Sequence, residues 1–170
     1  PVLAFITKSG ILQLWKIGEE GNLQQLASVP NAGFGILGIE ISQDNSMLAI
    51  SSQNSTVTLW SLDLLKQGAG QNAVLAILAG HRYKVKKAAF SPNGEMLATP
   101  GIDKTIRLWD VAAALQEAKE NKDKVATRAV RGTLLGHEHG VNAVAIIGND
   151  KICSVSPDKT IRLWDVAQHA

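Results

Sequence analysis

The sequence predicts an all-β chain made of stacked four-stranded antiparallel sheets, and three observations carry that prediction. The four tryptophans, Trp15, Trp60, Trp109 and Trp164, each close a short alternating segment (ILQLW, TVTLW, TIRLW and TIRLW), at spacings of 45, 49 and 55 residues. The nine residues DKTIRLWDV occur twice, at 103–111 and 158–166, a coincidence that composition does not produce and duplication does. Between the tryptophans, apolar and polar residues alternate with period two over short runs punctuated by Gly, Pro, Asn and Asp, as strands and turns require. A period of this size sets the architecture before any single element is assigned.

Val2 to Lys16 aligns with Met96 to Asp110, so the chain opens partway through a unit, 1–17. The second unit, 22–62, slides onto the third without a gap: Asn31 to Ser61 falls on Gly80 to Asp110, and MLA at 47–49 falls on MLA at 96–98. The third unit, 73–111, yields four strands, Ala73 to Leu78, Val85 to Phe90, Met96 to Thr99 and Thr105 to Val111. SPNG at 91–94 is a turn, with Pro92 presetting φ and Gly94 tolerating a left-handed backbone. Pro100 has no N–H, so pairing is expected to end or bulge there. The fourth unit is 132–166. Residues 112–131 form a long inter-strand loop, expected as a solvated excursion whose Ala-rich, alternately charged first half favours a short helix.

A lone four-stranded sheet cannot bury both faces, so neighbouring units must stack face to face. Regrouped into sheets, the units imply three, four, four and three strands. Open edges and uncovered faces are hazards unless something covers them, so the expectation is an interior or C-terminal part of a longer assembly.

Composition is that of an ordinary globular chain: 170 residues, 17 Lys+Arg against 15 Asp+Glu, 45% hydrophobic and 5% aromatic. Such a length buries roughly 70% of its unfolded-chain surface without staples. Cys153 has no partner, which excludes a disulfide scaffold; it reads as a small core residue and points to a reducing, intracellular setting, cytoplasmic or nuclear. The longest apolar runs, such as Ala73 to Ala79, fall far short of the roughly 18 residues a membrane span needs, so no membrane insertion is expected. Charge is uneven: residues 1–80 carry three basic and five acidic residues (−2), residues 81–170 carry 14 and 10 (+4).

Gly80-His81 and Gly136-His137, each followed later in its unit by a Trp-Asp pair (Trp109-Asp110, Trp164-Asp165), resemble the GH and WD dipeptides of the WD40 family. The first two units are degenerate, with Lys16 and Ser61 after the tryptophan. The resemblance implies a partial β-propeller of about four blades, part of a larger seven- or eight-bladed one, whose remaining blades come from the same or another chain. It also implies structural tetrads, His81, Thr99, Asp103 and Trp109, then His137, Ser154, Asp158 and Trp164. For function it implies a non-catalytic scaffold or adaptor that assembles multi-subunit protein complexes across its loop-bearing top face. On that analogy the partner surface is Gln53, Arg82, Tyr83, Lys84, Ile102, His139 and Pro157.

The tetrad chemistry also follows from the side chains. A buried indole N–H needs an acceptor, which a Ser or Thr hydroxyl supplies. A neutral histidine then accepts from that hydroxyl and donates to a carboxylate, leaving no polar atom unpaired. Unit two cannot close this chain, because Ala32, Ile50 and Asn54 stand at the His, Ser/Thr and Asp positions, so it is expected to rely on packing.

Several motifs compete with this reading. Ser154, His137 and Asp158 are the ingredients of a hydrolase triad, yet the trio recurs with Thr99 in the serine's place and is tied each time to a tryptophan, which suits a strut. GFGILG at 33–38 fits G-x-G-x-x-G, but a strand follows it and no acidic residue lies at 53–59, so the glycines read as a loose inter-strand connection. His137-Glu138-His139 is a faint metal signal, with His137 committed elsewhere. Asn54-Ser55-Thr56 fits the glycosylation pattern inside a tight turn and is accidental. No catalytic residue, cofactor or metal is assigned. An alternative function is a nucleic-acid-associated propeller of a ribonucleoprotein or chromatin complex, using the basic loop 82–87 with Arg82, Lys84, Lys86 and Lys87.

Overall fold

The computed structural model describes residues 2–168; Pro1, the first residue of the first unit, lies outside them. Four sheets follow one another along the chain. The first contains β1 (Val2–Ile6), β2 (Leu12–Ile17) and β3 (Leu23–Val29). The second contains β4 (Ile36–Ile41), β5 (Met47–Ser52), β6 (Thr56–Ser61) and β7 (Val74–Ala79), with a short helix α1 (Leu62–Lys66) between β6 and β7. The third contains β8 (Ala89–Phe90), β9 (Met96–Pro100), β10 (Ile106–Asp110) and β12 (Val130–Leu134). Between β10 and β12 lie α2 (Val111–Lys119) and β11 (Val125–Ala126). The fourth contains β13 (Ala143–Ile147), β14 (Lys151–Val155) and β15 (Ile161–Asp165).

Pairing within each meander is antiparallel, and successive sheets meet along β1 and β4, β4 and β8, then β8 and β13. Period-two alternation explains the cores between them. In β6, Val57 and Leu59 face the third sheet, joining Leu78, Val85, Leu97 and Trp109, while Trp60 turns the other way to join Leu12, Leu14, Leu48 and Ile50. Ile106 and Leu108 of β10 likewise meet Val141, Ile152 and Trp164 of the fourth sheet. The Trp60, Trp109 and Trp164 faces thus each cover the aliphatic face of the preceding sheet.

The repeated turns have a common chemistry. In Asp103-Lys104-Thr105 the Asp103 Oδ1 accepts from Thr105 N–H (3.2 Å) and Thr105 Oγ1 (2.7 Å), and Asp158 Oδ1 does the same for Thr160 at 2.9 and 2.6 Å. Asn54 Oδ1 holds Thr56 in the same way, at 3.3 and 2.7 Å. The middle residue is left-handed each time: Ser55 (φ 69), Lys104 (φ 73) and Lys159 (φ 69). That conformation costs a non-glycine residue about 1–2 kcal/mol, offset here by the side-chain bonds.

Four expectations are corrected. The strand placed at Val85 to Phe90 is reduced to β8, Ala89–Phe90; upstream, Lys86 N–H donates to Pro100 O (2.8 Å) and Val85 bridges Gly101, because Pro100 has no N–H with which to continue the ladder. The connection 112–131 is no solvated excursion. Helix α2 buries Val111, Ala114 and Ala118, and β11 pairs in parallel with β7, adding a fifth strand to the second sheet. Glu117 pins the return by accepting from the N–H groups of Thr127 (3.0 Å) and Arg128 (3.0 Å). Part of GFGILG belongs to β4, with a bulge between Ile36 and Gly38. A Cβ at Gly38 would meet Lys87 Cα at 2.5 Å, so that glycine is required by the close approach of the next sheet. Cys153 is half-buried on β14, not fully in the core.

Candidate functional site

The tetrad residues come together at one end of the third and fourth sheets. Trp109 Nε1–H donates to Thr99 Oγ1 (2.8 Å), the hydroxyl lies 2.8 Å from His81 Nε2, and His81 Nδ1 lies 2.9 Å from Asp103 Oδ2. In the fourth sheet the corresponding distances, Trp164 to Ser154, Ser154 to His137 and His137 to Asp158, are 2.8, 2.8 and 2.6 Å. The donor logic requires a histidine protonated on Nδ1 and accepting on Nε2. Asp103 Oδ2 also accepts from Arg82 N–H (2.9 Å), and Asp158 Oδ2 from Glu138 N–H (3.0 Å), so each carboxylate fixes the loop entering the sheet.

Burial alone would raise the Asp103 proton affinity, but hydrogen bonds from His81, Arg82 N–H and Thr105 hold it well below the usual carboxylate range. Asp158 is depressed likewise, burial being outweighed by bonds from Thr160, His137 and Glu138 N–H. Ser154 is buried within this network and its hydroxyl hydrogen bonds to both a tryptophan and a histidine, an arrangement that ties it to structure.

The glycines before the histidines are also accounted for. A Cβ at Gly136 would stand 2.7 Å from Arg162 Nη1 and 3.3 Å from the Trp164 ring, and one at Gly80 would stand 3.1 and 3.3 Å from the matching atoms of Arg107 and Trp109. The residues after Trp60, Trp109 and Trp164 each accept from a backbone N–H of the next turn. Asp110 Oδ1 accepts from Ala113 N–H at 2.8 Å and starts α2, while Ser61, replacing aspartate in the second unit, accepts from Leu64 N–H at 3.2 Å and starts α1. In the second sheet the indole finds a substitute on its own strand: Trp60 Nε1–H donates to Thr58 Oγ1 at 2.9 Å. That blade therefore does not rely on packing alone.

Around the tetrads the loops are stitched into one rim. Gln53 N–H donates to Gly35 O (2.9 Å), Val85 N–H to Ser52 O (3.1 Å), Ile102 N–H to Lys84 O (2.9 Å) and Val141 N–H to Gly101 O (2.9 Å). Ser156 Oγ, beside Pro157, closes the row on His139 O at 3.3 Å. Gln53, Arg82, Tyr83, Lys84, Ile102, His139 and Pro157 are all exposed. Lys104 and Lys159 are exposed at the same turns, whereas Asp103 and Asp158 turn inward, leaving Glu138 as the exposed carboxylate of these loops. Of the basic stretch, Lys86 is half-buried and Lys87 is paired with Glu40 at 2.8 Å.

The sequence reading passed over Phe34, which stands 91% exposed between Gly33 and Gly35 beside Gln53. Its signal was present in the letters GFG, an aromatic between two glycines, where a core aromatic would be flanked by strand residues.

Repeated antiparallel sheets, each meeting the next along its inner strands and two of them locked by a Trp–Ser/Thr–His–Asp chain, define a propeller-type repeat protein. Residues 72–110 and 129–165 match the family described as "WD domain, G-beta repeat"; these two segments are WD40 repeats. The chain is 28% identical over 134 residues to a "Ribosome biogenesis protein WDR12 homolog" of Drosophila mojavensis, covering 75% of this chain and 30% of that protein. It is 29% identical over 178 residues to the protein of the same description in Chlamydomonas reinhardtii, covering 95% and 39%. It is 28% identical over 197 residues to "Telomerase protein component 1" of Rattus norvegicus, covering 96% and 7%. The chain thus spans well under half the length of the curated relatives it matches. Among the described residues, no helix is long and apolar enough to cross a membrane.

Proposed function

We propose that this chain is part of a non-catalytic scaffold that captures partner proteins at the tetrad-end rim and assembles them into a multi-subunit complex. The observation carrying this reading is the rim itself: Phe34 and Tyr83 stand exposed among Arg82, Lys84, Lys104 and Lys159 on loops held in place by backbone bonds. Rigid aromatic anchors beside cations are the chemistry of protein capture, and a cationic rim favours an acidic partner surface. The remaining blades of the propeller, from the same or another chain, complete the platform, and the compartment is intracellular, cytoplasmic or nuclear. Similarity to ribosome-biogenesis proteins supports a role in complex assembly. Nucleic acid is the weaker reading, because the ion pair of Lys87 with Glu40 and the partial burial of Lys86 thin the basic loop.

The test is affinity purification of the full-length protein, comparing wild type with Tyr83→Ala combined with Arg82→Glu and with Phe34→Ala. Both variants should lose the co-purifying proteins at unchanged thermal stability. Undiminished recovery by both discards the rim, and nuclease-sensitive recovery with steep salt dependence selects the nucleic-acid reading.

A further inference from the structure

At the strand ends opposite the rim, the two helical connections frame a groove of 420 Å³ over the start of β7. Leu64 of α1, Val74 and Leu75 of β7, and Leu115 of α2 line it with half-buried aliphatic side chains, and Lys119 and Lys124 stand at its edge. Lys119 lies in the last turn of α2, where a cation also suits the helix dipole. Lys124 has no such account. Its backbone is left-handed (φ 55), an unfavourable state for lysine, and its O accepts from Ile77 N–H at 2.7 Å. Its Nζ reaches back to donate to Val74 O at 2.5 Å. Neither lysine is ion-paired among the described residues: Asp63 is taken by Lys66 (2.9 Å) and Glu117 by Arg128 (3.3 Å), while Asp123 is exposed.

We infer that this groove is a second binding surface and that it takes an acidic peptide segment carrying aliphatic side chains. The aliphatic floor offers apolar area, and the two uncompensated ammonium groups at its edge favour carboxylates and disfavour cations. The parallel strand β11 occupies the outer edge of β7, so the occupant seats its side chains between α1 and α2 and adds no strand to the sheet. This inference stands apart from the rim, which lies at the other end of the strands.

The experiment titrates the full chain with a labelled peptide of alternating glutamate and leucine, following anisotropy and the methyl resonances of Leu64, Leu75 and Leu115. Peptides of lysine and leucine, and of glutamate and serine, serve as counterparts. The glutamate–leucine peptide should saturate, shift those three methyls, and weaken with salt, while both counterparts fail. Leu115→Glu and Lys124→Asn should each weaken binding by about tenfold or more. Asn tolerates the left-handed backbone, so Lys124→Asn should still fold, losing only the Nζ bond to Val74 O, with a melting temperature lowered by no more than a few degrees. Absence of saturable binding, equal binding of the lysine–leucine peptide, or unchanged affinity in both variants overturns the inference.

Discussion

Residues 103–111 and 158–166 are the same nine amino acids in two settings. Their polar halves are alike: the tetrad distances agree within 0.3 Å in every link, because all the partners of each network lie within its own unit. Their aliphatic halves are not. Ile106 and Leu108 are fully buried against the fourth sheet, whereas Ile161 and Leu163 are 75% and 66% exposed, because no further sheet covers them among the described residues. Hydrogen-bond networks in this fold are therefore properties of a unit, and aliphatic burial is a property of a pair of units.

The strongest way to break that comparison is to truncate the matched leucines. Leu108→Ala should cost about 2–5 kcal/mol in denaturant unfolding of the 170-residue chain, and Leu163→Ala less than about 0.5 kcal/mol. Equal losses in a longer chain containing these residues would report a sheet seated on β15. Next in size, Asp103→Ala and Asp158→Ala should each cost about 1–3 kcal/mol, in similar amount, since each removes the carboxylate shared by a buried histidine Nδ1 and a loop N–H. Dissimilar costs would show that the networks are not local. Thr58→Val, in the sheet without a tetrad, should cost about 1 kcal/mol by leaving the Trp60 indole unpaired, and no loss at all would return that blade to packing alone.

The smallest effect at neutral pH concerns acid. Asp103 and Asp158 are depressed when folded, so the stability they contribute is fully present above the unfolded carboxylate value of about 3.9 and is lost as pH falls from there towards the folded values. Urea midpoints measured from neutral pH down to about pH 3 should fall, and Asp103→Asn with Asp158→Asn should flatten that fall. An unaltered slope in the double variant would remove these carboxylates from the acid response.

Much of the site was legible because its partners sit at fixed offsets within one repeat. His81, Thr99, Asp103 and Trp109 are named by the unit frame, and the donor and acceptor inventory of those side chains dictates how they connect. Thr58 was not legible as a substitute, since it lies two residues from Trp60 on the same strand and depends on that strand's twist. Phe34 was read as part of a glycine pattern, and only its surroundings show an unburied ring.

The sequence by itself determined the repeat, the strand order, the turn chemistry and the tetrads, because period-two patterning and side-chain hydrogen bonding are short-range and recur with the unit. Only the tertiary structure decided that 112–131 folds back as a helix and a strand on the preceding sheet, that Lys124 is held left-handed beside Leu115, and which copy of one nonapeptide is covered. Those outcomes depend on which surfaces meet across distant parts of the chain, and no local pattern encodes a neighbour's position.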